Sequence, residues 1–164
     1  MKKNIGKILA VILVVSVLAT VLCACVPSNF SKAEANLKAN GYVAETLENG
    51  DIANGANAMA KLAAAAYDIT LTGKCEAIVK GFSKDGKQSV TIYYFDNAKD
   101  AKAFNKACKA DLKKAKDELK KQKDAGNISE DDYKKALEDM KDGKFGVSGK
   151  AFYFGTKAAV KACN

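Results

Sequence analysis

Few side chains in this 164-residue sequence could do chemistry. They are five cysteines, the acidic run Glu130-Asp131-Asp132, the aromatic run Tyr93-Tyr94-Phe95 and a set of basic residues that are all lysine. There is no histidine, arginine or tryptophan. Without histidine, no side chain titrates near neutrality unless its surroundings shift it. Ser-His and Cys-His nucleophile pairs are excluded, and so are zinc sites that need imidazole. Without arginine, no planar fork can grip a phosphate or carboxylate through two parallel bonds. The cysteines form no CxxC pair, and the glycines form no G-x-G-x-x-G or Walker A loop. Glu130-Asp131-Asp132 could hold a hard cation, but it also suits the acidic bias of a helix N-terminus. Spacing alone selects no pair of carboxylates for hydrolysis. No cofactor and no metal is expected.

Cys23 and Cys25 sit at the end of a segment of another kind. Lys2, Lys3 and Lys7 give a basic start, and Ile8 to Leu22 is apolar apart from Ser16 and Thr20. Leu22-Cys23-Ala24-Cys25 follows, then Val26-Pro27. The whole reads as a secretory signal. Its end resembles the lipobox of bacterial lipoproteins, with Cys23 in an unusual place for that motif. The resemblance implies cleavage before Cys25 and a diacylglycerol on the Cys25 thiol, with palmitate-type acylation and residence on the extracytoplasmic face of the cell membrane. The alternative is an uncleaved anchor, since Ile8 to Val26 is about long enough to span a bilayer. In the lipoprotein reading residues 1–24 are removed, and the net charge falls from +8 to +5 with three lysines. Residues 25–30 form a short membrane tether, and 31–164 make one domain. The five residues from Val26 to Phe30 reach at most about 17 Å when extended, so the domain must lie close to the bilayer.

Cys75, Cys108 and Cys163 remain. They are buried small hydrophobes, or two of them pair, or one is a reactive thiol.

The elements that position these residues follow from hydrophobic period and turn chemistry. Ser31-Lys32-Ala33-Glu34 has the form of a capping box opening a helix to Asn40, and Gly41 stops it. Tyr42 to Leu47 alternates as a strand. Ile52 to Ala66 is an alanine-rich helix. Ile69 to Lys80 and Ser89 to Phe95 form a hairpin around a two-residue Asp85-Gly86 turn. Ala101, Phe104, Cys108, Leu112, Ala115 and Leu119 make the stripe of a long helix that Gly126 ends, and Ser129 starts another. Residues 109–144 form a charged helical hairpin, with 11 lysines against 10 acids. Val147 to Phe154 is a last strand, and Thr156 caps a closing helix.

The fold class expected is α+β, with the ferredoxin-like order β-α-β-β-α-β, extra terminal helices and the helical hairpin as an insertion. The first and last strands would be neighbours, with both main helices on one face. The other face would carry Ile78, Phe82, Tyr93, Phe95, Phe152 and Phe154. Such a face must be covered or must bind something. Either the first and closing helices cover it, or a second copy does, or it is a groove for an apolar or peptide ligand. Phe82, Tyr93, Phe95, Phe152 and Phe154 are therefore the candidate binding face. Tyr93-Tyr94-Phe95 lacks the charged-Gly-aromatic pattern of RNA-binding sheets, so no nucleic-acid partner is expected.

The function expected is a membrane-anchored, non-enzymatic binding or interaction module. The alternatives are polyanion binding (wall polymer or anionic lipid) through the lysine surface, and a carboxylate-dependent hydrolase.

Overall fold

The computed structural model describes residues 26–49 and 55–164. Cys25, residues 1–24 and the start of the alanine-rich helix lie outside them. Among the described residues no helix is long and apolar enough to cross a membrane.

The first helix among the described residues is α1 (Phe30–Ala39). Its cap is Asn29, whose Oδ1 accepts from the amide of Lys32 at 3.1 Å. Ser31 is already inside the helix, so the expected capping box does not form. Glu34 is used elsewhere, bound by Lys38 and by the Thr46 hydroxyl. Those hydrogen bonds, Lys38 first, hold its carboxyl below the usual range. They also tie α1 to β1 (Val43–Glu48).

After α2 (Gly55–Ala66) come β2 (Cys75–Phe82) and β3 (Ser89–Phe95). The strand expected from Ile69 starts only at Cys75, because a buried carboxylate captures the chain before it. Asp100 is 1 % exposed. Its oxygens accept from the Thr72 amide at 3.0 Å, the Thr72 hydroxyl at 2.9 Å and the Gly73 amide at 2.9 Å. The β2–β3 turn is also longer than expected. Ser83 donates its amide to the Gln88 carbonyl at 2.9 Å, and Asp85 binds the Ser83 hydroxyl and the Lys87 amide inside the loop.

Two helices follow, α3 (Ala98–Asp124) and α4 (Glu130–Asp142). The first half of α3 packs on the sheet through Ala101 and Phe104. Ala115 and Leu119, further along, pack instead on Ala136 and Met140 of α4. The charged arm therefore exists, but the single last strand expected over Val147 to Phe154 is instead a hairpin. α4 leads straight into β4 (Gly143–Ser148), which turns at Gly149 into β5 (Ala151–Thr156). Ser148 pairs with Ala151, leaving a two-residue turn in which Gly149 has φ +58. A short α5 (Lys157–Ala162) ends the chain, capped by Thr156.

The fold is α+β around one antiparallel sheet of order β1-β2-β3-β5-β4. The ferredoxin-like arrangement is not what forms. The β4–β5 hairpin takes the place beside β3, through Val90↔Gly155 and Ile92↔Tyr153. The first and last strands are thereby separated by β2 and β3, and β1 runs antiparallel to β2 despite the helix between them.

Helices cover both faces, in the opposite assignment to that expected. Ala33 and Leu37 of α1, with Ala159, Val160 and Cys163 at the closing helix, cover Val79, Ile92, Tyr94 and Tyr153. The aromatic face of Ile78, Tyr93, Phe95 and Phe152 lies under Ala56, Ala60 and Ala64 of α2 and Phe104 of α3. A bulge between Cys75 and Ala77 explains why Cys75 joins this second face while Ala77 stays on the first.

The Asp100 network generates a test. Burial alone would raise the Asp100 carboxyl, but the bonds from Thr72, Asn97 and Gly73 outweigh it and hold the group below its usual value. A carboxyl lowered in the native state stabilises the fold above its unfolded pKa, about 3.9, and loses that contribution as pH falls through the native value. Asp100→Ala should therefore cost about 3 kcal/mol at neutral pH. It should also flatten the fall in stability below about pH 4, as measured by urea unfolding across pH. An unchanged acid limb would contradict this role.

Candidate functional site

α3 covers only part of the aromatic face. Phe104 sits over its centre, with ring centroids 5.7 Å from Tyr93, 5.6 Å from Phe95 and 5.4 Å from Phe152. Beyond Phe104 the helix swings from the sheet toward α4, and a groove of about 600 Å³ opens. One wall is α3, with Phe104, Cys108, Asp111 and Leu112 at helical spacing. Ala63 and Tyr67, at the end of α2, close one side, and Asp139 and Asp142 of α4 and Phe145 of β4 the other. The floor is the sheet itself: Ser89 and Tyr93 of β3 and Phe152, Phe154 and Gly155 of β5. Nothing larger than hydrogen fits at Gly155, since a Cβ there would lie 2.3 Å from the Ser89 carbonyl oxygen.

The five aromatic residues expected to share a binding face are divided by this packing. Tyr93, Phe152 and Phe154 line the groove. Phe154 stacks on Tyr93 at 6.3 Å and is half-buried, so it is the accessible one. Phe95 is 1 % exposed beneath Phe104 and belongs to the core. Phe82 is 44 % exposed, on the strand next to Ser89 and paired with Val43, and it lies outside the groove. Tyr67, Cys108, Leu112, Phe145 and the three aspartates were missed. Cys108 and Leu112 were visible as part of the α3 stripe, which was read as core. Phe145 lies between Gly143 and Gly146, which weaken a strand signal.

Tyr67 and Cys108 are held in their protonated forms in the groove wall. Burial, with help from Cys108 and Asp111, pushes the Tyr67 phenol up to about 12. Burial pushes the Cys108 thiol up to about 11, and Asp111 adds to this against a hydrogen bond from Tyr67. Both groups stay protonated at neutral pH, and a thiol needs its thiolate to react. Cys75 and Cys163 are also free and buried, each pushed up to about 12 chiefly by burial. The acidic run at α4 serves the helix. Ser129 caps the Asp132 amide at 3.0 Å, and Glu130 pairs with Lys123 and Lys134.

The residues next to Cys25 are held by the domain. Val26 is 1 % exposed on the α1–α5 face. Its carbonyl accepts from the Ser148 hydroxyl at 2.7 Å, and the Pro27 carbonyl accepts from the Tyr94 hydroxyl at 3.0 Å. Phe30 sets its ring edge-on to Tyr94. The stretch expected to act as a tether is thus packed on the sheet. It enters at the β4–β5 turn, whereas the groove reaches Gly155 and Thr156 at the far end of β5 on the opposite face. Five residues of strand, about 17 Å, separate the two ends.

No family model matches this chain, and no curated protein or solved structure is significantly similar to it.

The thiols give the site its test. In the native protein at pH 8, an alkylating reagent should label Cys108, on the groove wall, well before Cys75 and Cys163. Peptide mass mapping over time checks the order. Equal rates for the three would contradict the packing described.

Proposed function

We propose that this protein is a lipid-anchored, extracytoplasmic binding module that is not an enzyme, and that its ligand occupies the aromatic groove. The observation that carries the binding half is the incomplete cover of the aromatic face. A core built only for stability would have no reason to leave Phe154 and Phe145 beside a space of about 600 Å³. That volume lies within the range of small-molecule sites, and the lining is of the usual kind, apolar with a few polar groups. The protonated Tyr67 and Cys108 favour holding a ligand over attacking it.

The anchor half rests on Leu22-Cys23-Ala24-Cys25 and the apolar run before it. Two acyl chains on Cys25 would hold the protein firmly, which one chain does only marginally. With Val26 packed at the β4–β5 turn, a lipid on Cys25 would set that end of the sheet against the bilayer. The groove, on the other face and at the other end, would open away from it.

Metabolic labelling with an alkyne analogue of palmitate tests the anchor. Label should appear on the wild-type chain and on Cys23→Ser, and should vanish with Cys25→Ser, leaving an unprocessed precursor of higher mass. Label that survives Cys25→Ser, or a wild-type chain that takes none, would overturn the lipoprotein reading.

A further inference from the structure

The rim of the groove carries a charge opposite to that of the chain. Asp111 comes from α3, and Asp139 and Asp142 from α4. Lys87 is the one lysine among the lining residues. The protein as a whole carries +8, so an acidic mouth is not a sample of its average surface. The placement of two of these acids also runs against helix stability. Asp139 and Asp142 occupy the last turn of α4, where the helix presents its unpaired carbonyls and negative pole. An acid at that end is unfavourable, so the fold alone gives no reason for the pair. Both are exposed, and neither caps or pairs a neighbouring element in the way Glu130 does. Asp111 pairs only with the exposed Lys114, at 3.5 Å. Three carboxylates and a helix C-terminus therefore meet at one mouth, above a floor of aromatic rings.

We infer that the groove takes a small apolar ligand bearing one ammonium group, with the apolar body against Phe145 and Phe154 and the cationic head at the rim of Asp111, Asp139 and Asp142. This rests on the reading of the groove as a binding site and adds the class of ligand. Two interactions select the head. The carboxylates attract it at short range, and the half-buried ring of Phe154 attracts it through its quadrupole. An anionic amphiphile of the same shape meets the same three carboxylates with the wrong sign. The rim thus separates this site from the lysine surface, which would attract polyanions.

The chain has six tyrosines, and two of them, Tyr67 and Tyr93, line the groove. Tyr42, Tyr94, Tyr133 and Tyr153 lie outside it and serve as internal controls. The test is fluorine NMR of the full chain, labelled with 3-fluorotyrosine and held in phosphatidylcholine nanodiscs. It is titrated with 4-phenylbutylamine, 4-phenylbutanol and 4-phenylbutyrate, three probes that differ only in the head. The amine should shift Tyr67 and Tyr93 saturably and leave the other four in place. It should bind tighter than the carboxylate by roughly tenfold or more. In the double variant Asp139→Asn, Asp142→Asn that preference should fall to about twofold, with no loss of thermal stability. A carboxylate that binds as tightly as the amine, or a preference that survives the double variant, overturns the ligand class while the binding site stands. If none of the probes moves the two groove tyrosines, the ligand class and the binding site fall together.

Discussion

The buried carboxylate of Asp100 is the constraint on which the rest of the arrangement depends. It is a charge almost without exposure, held by the chain entering β2 and by Asn97 at the cap of its own helix. A charge in that position is tolerable only because donors surround it. The geometry of those donors then fixes where α3 begins and how it is rotated. Phe104 lies four residues on, on the same face of the helix, so it is delivered to the centre of the aromatic sheet. Cys108 and Leu112 follow along that line, and they are what the groove has for its upper wall.

Cover of the aromatic face is divided between two helices of different character. α2 presents alanine at positions 56, 60 and 64 and can approach the sheet closely, filling its half with backbone. α3 presents one large ring and then leaves the sheet for α4. The two surfaces of the sheet are consequently unlike. The side under α1 and α5 is closed by Leu37, Val160 and the entering Val26. The other is closed over Phe95 and open over Phe154. The site is the remainder of a packing problem that α3 solves only halfway, because its second half is needed to pair with α4.

Much of this was legible in the sequence, and the losses have physical causes. Period and turn chemistry located the strands around Val79 and Ile92, the long helix with its Phe104 stripe, and the Thr156 cap, since those signals are local. Strand order was not legible, because a period of two says which side chains share a face but not which strand lies alongside. β4 was hidden by Gly143 and Gly146, which weaken a strand signal, although Phe145 and Val147 do alternate. The cap of α1 went to Asn29 over Ser31, and both residue types suit the position. The assignment of helices to faces was reversed because amphipathicity shows that a helix must pack, not on what. The aromatic half of the site was visible for the reason that rings on one face of a strand must go somewhere. Its acidic rim was not, since Asp111 and Asp139 meet only once α3 and α4 have turned back on each other.

α3 divides one aromatic face into a closed core and an open groove. Solvent paramagnetic relaxation of phenylalanine ring protons, with a soluble gadolinium chelate and ring-labelled protein, reads this division. The seven phenylalanines report separately on the division. Phe95, Phe104 and Phe152 should be protected while Phe145 and Phe154 relax fast. Uniform protection of all five would mean that no groove exists, and uniform relaxation would mean that α3 does not cover the sheet.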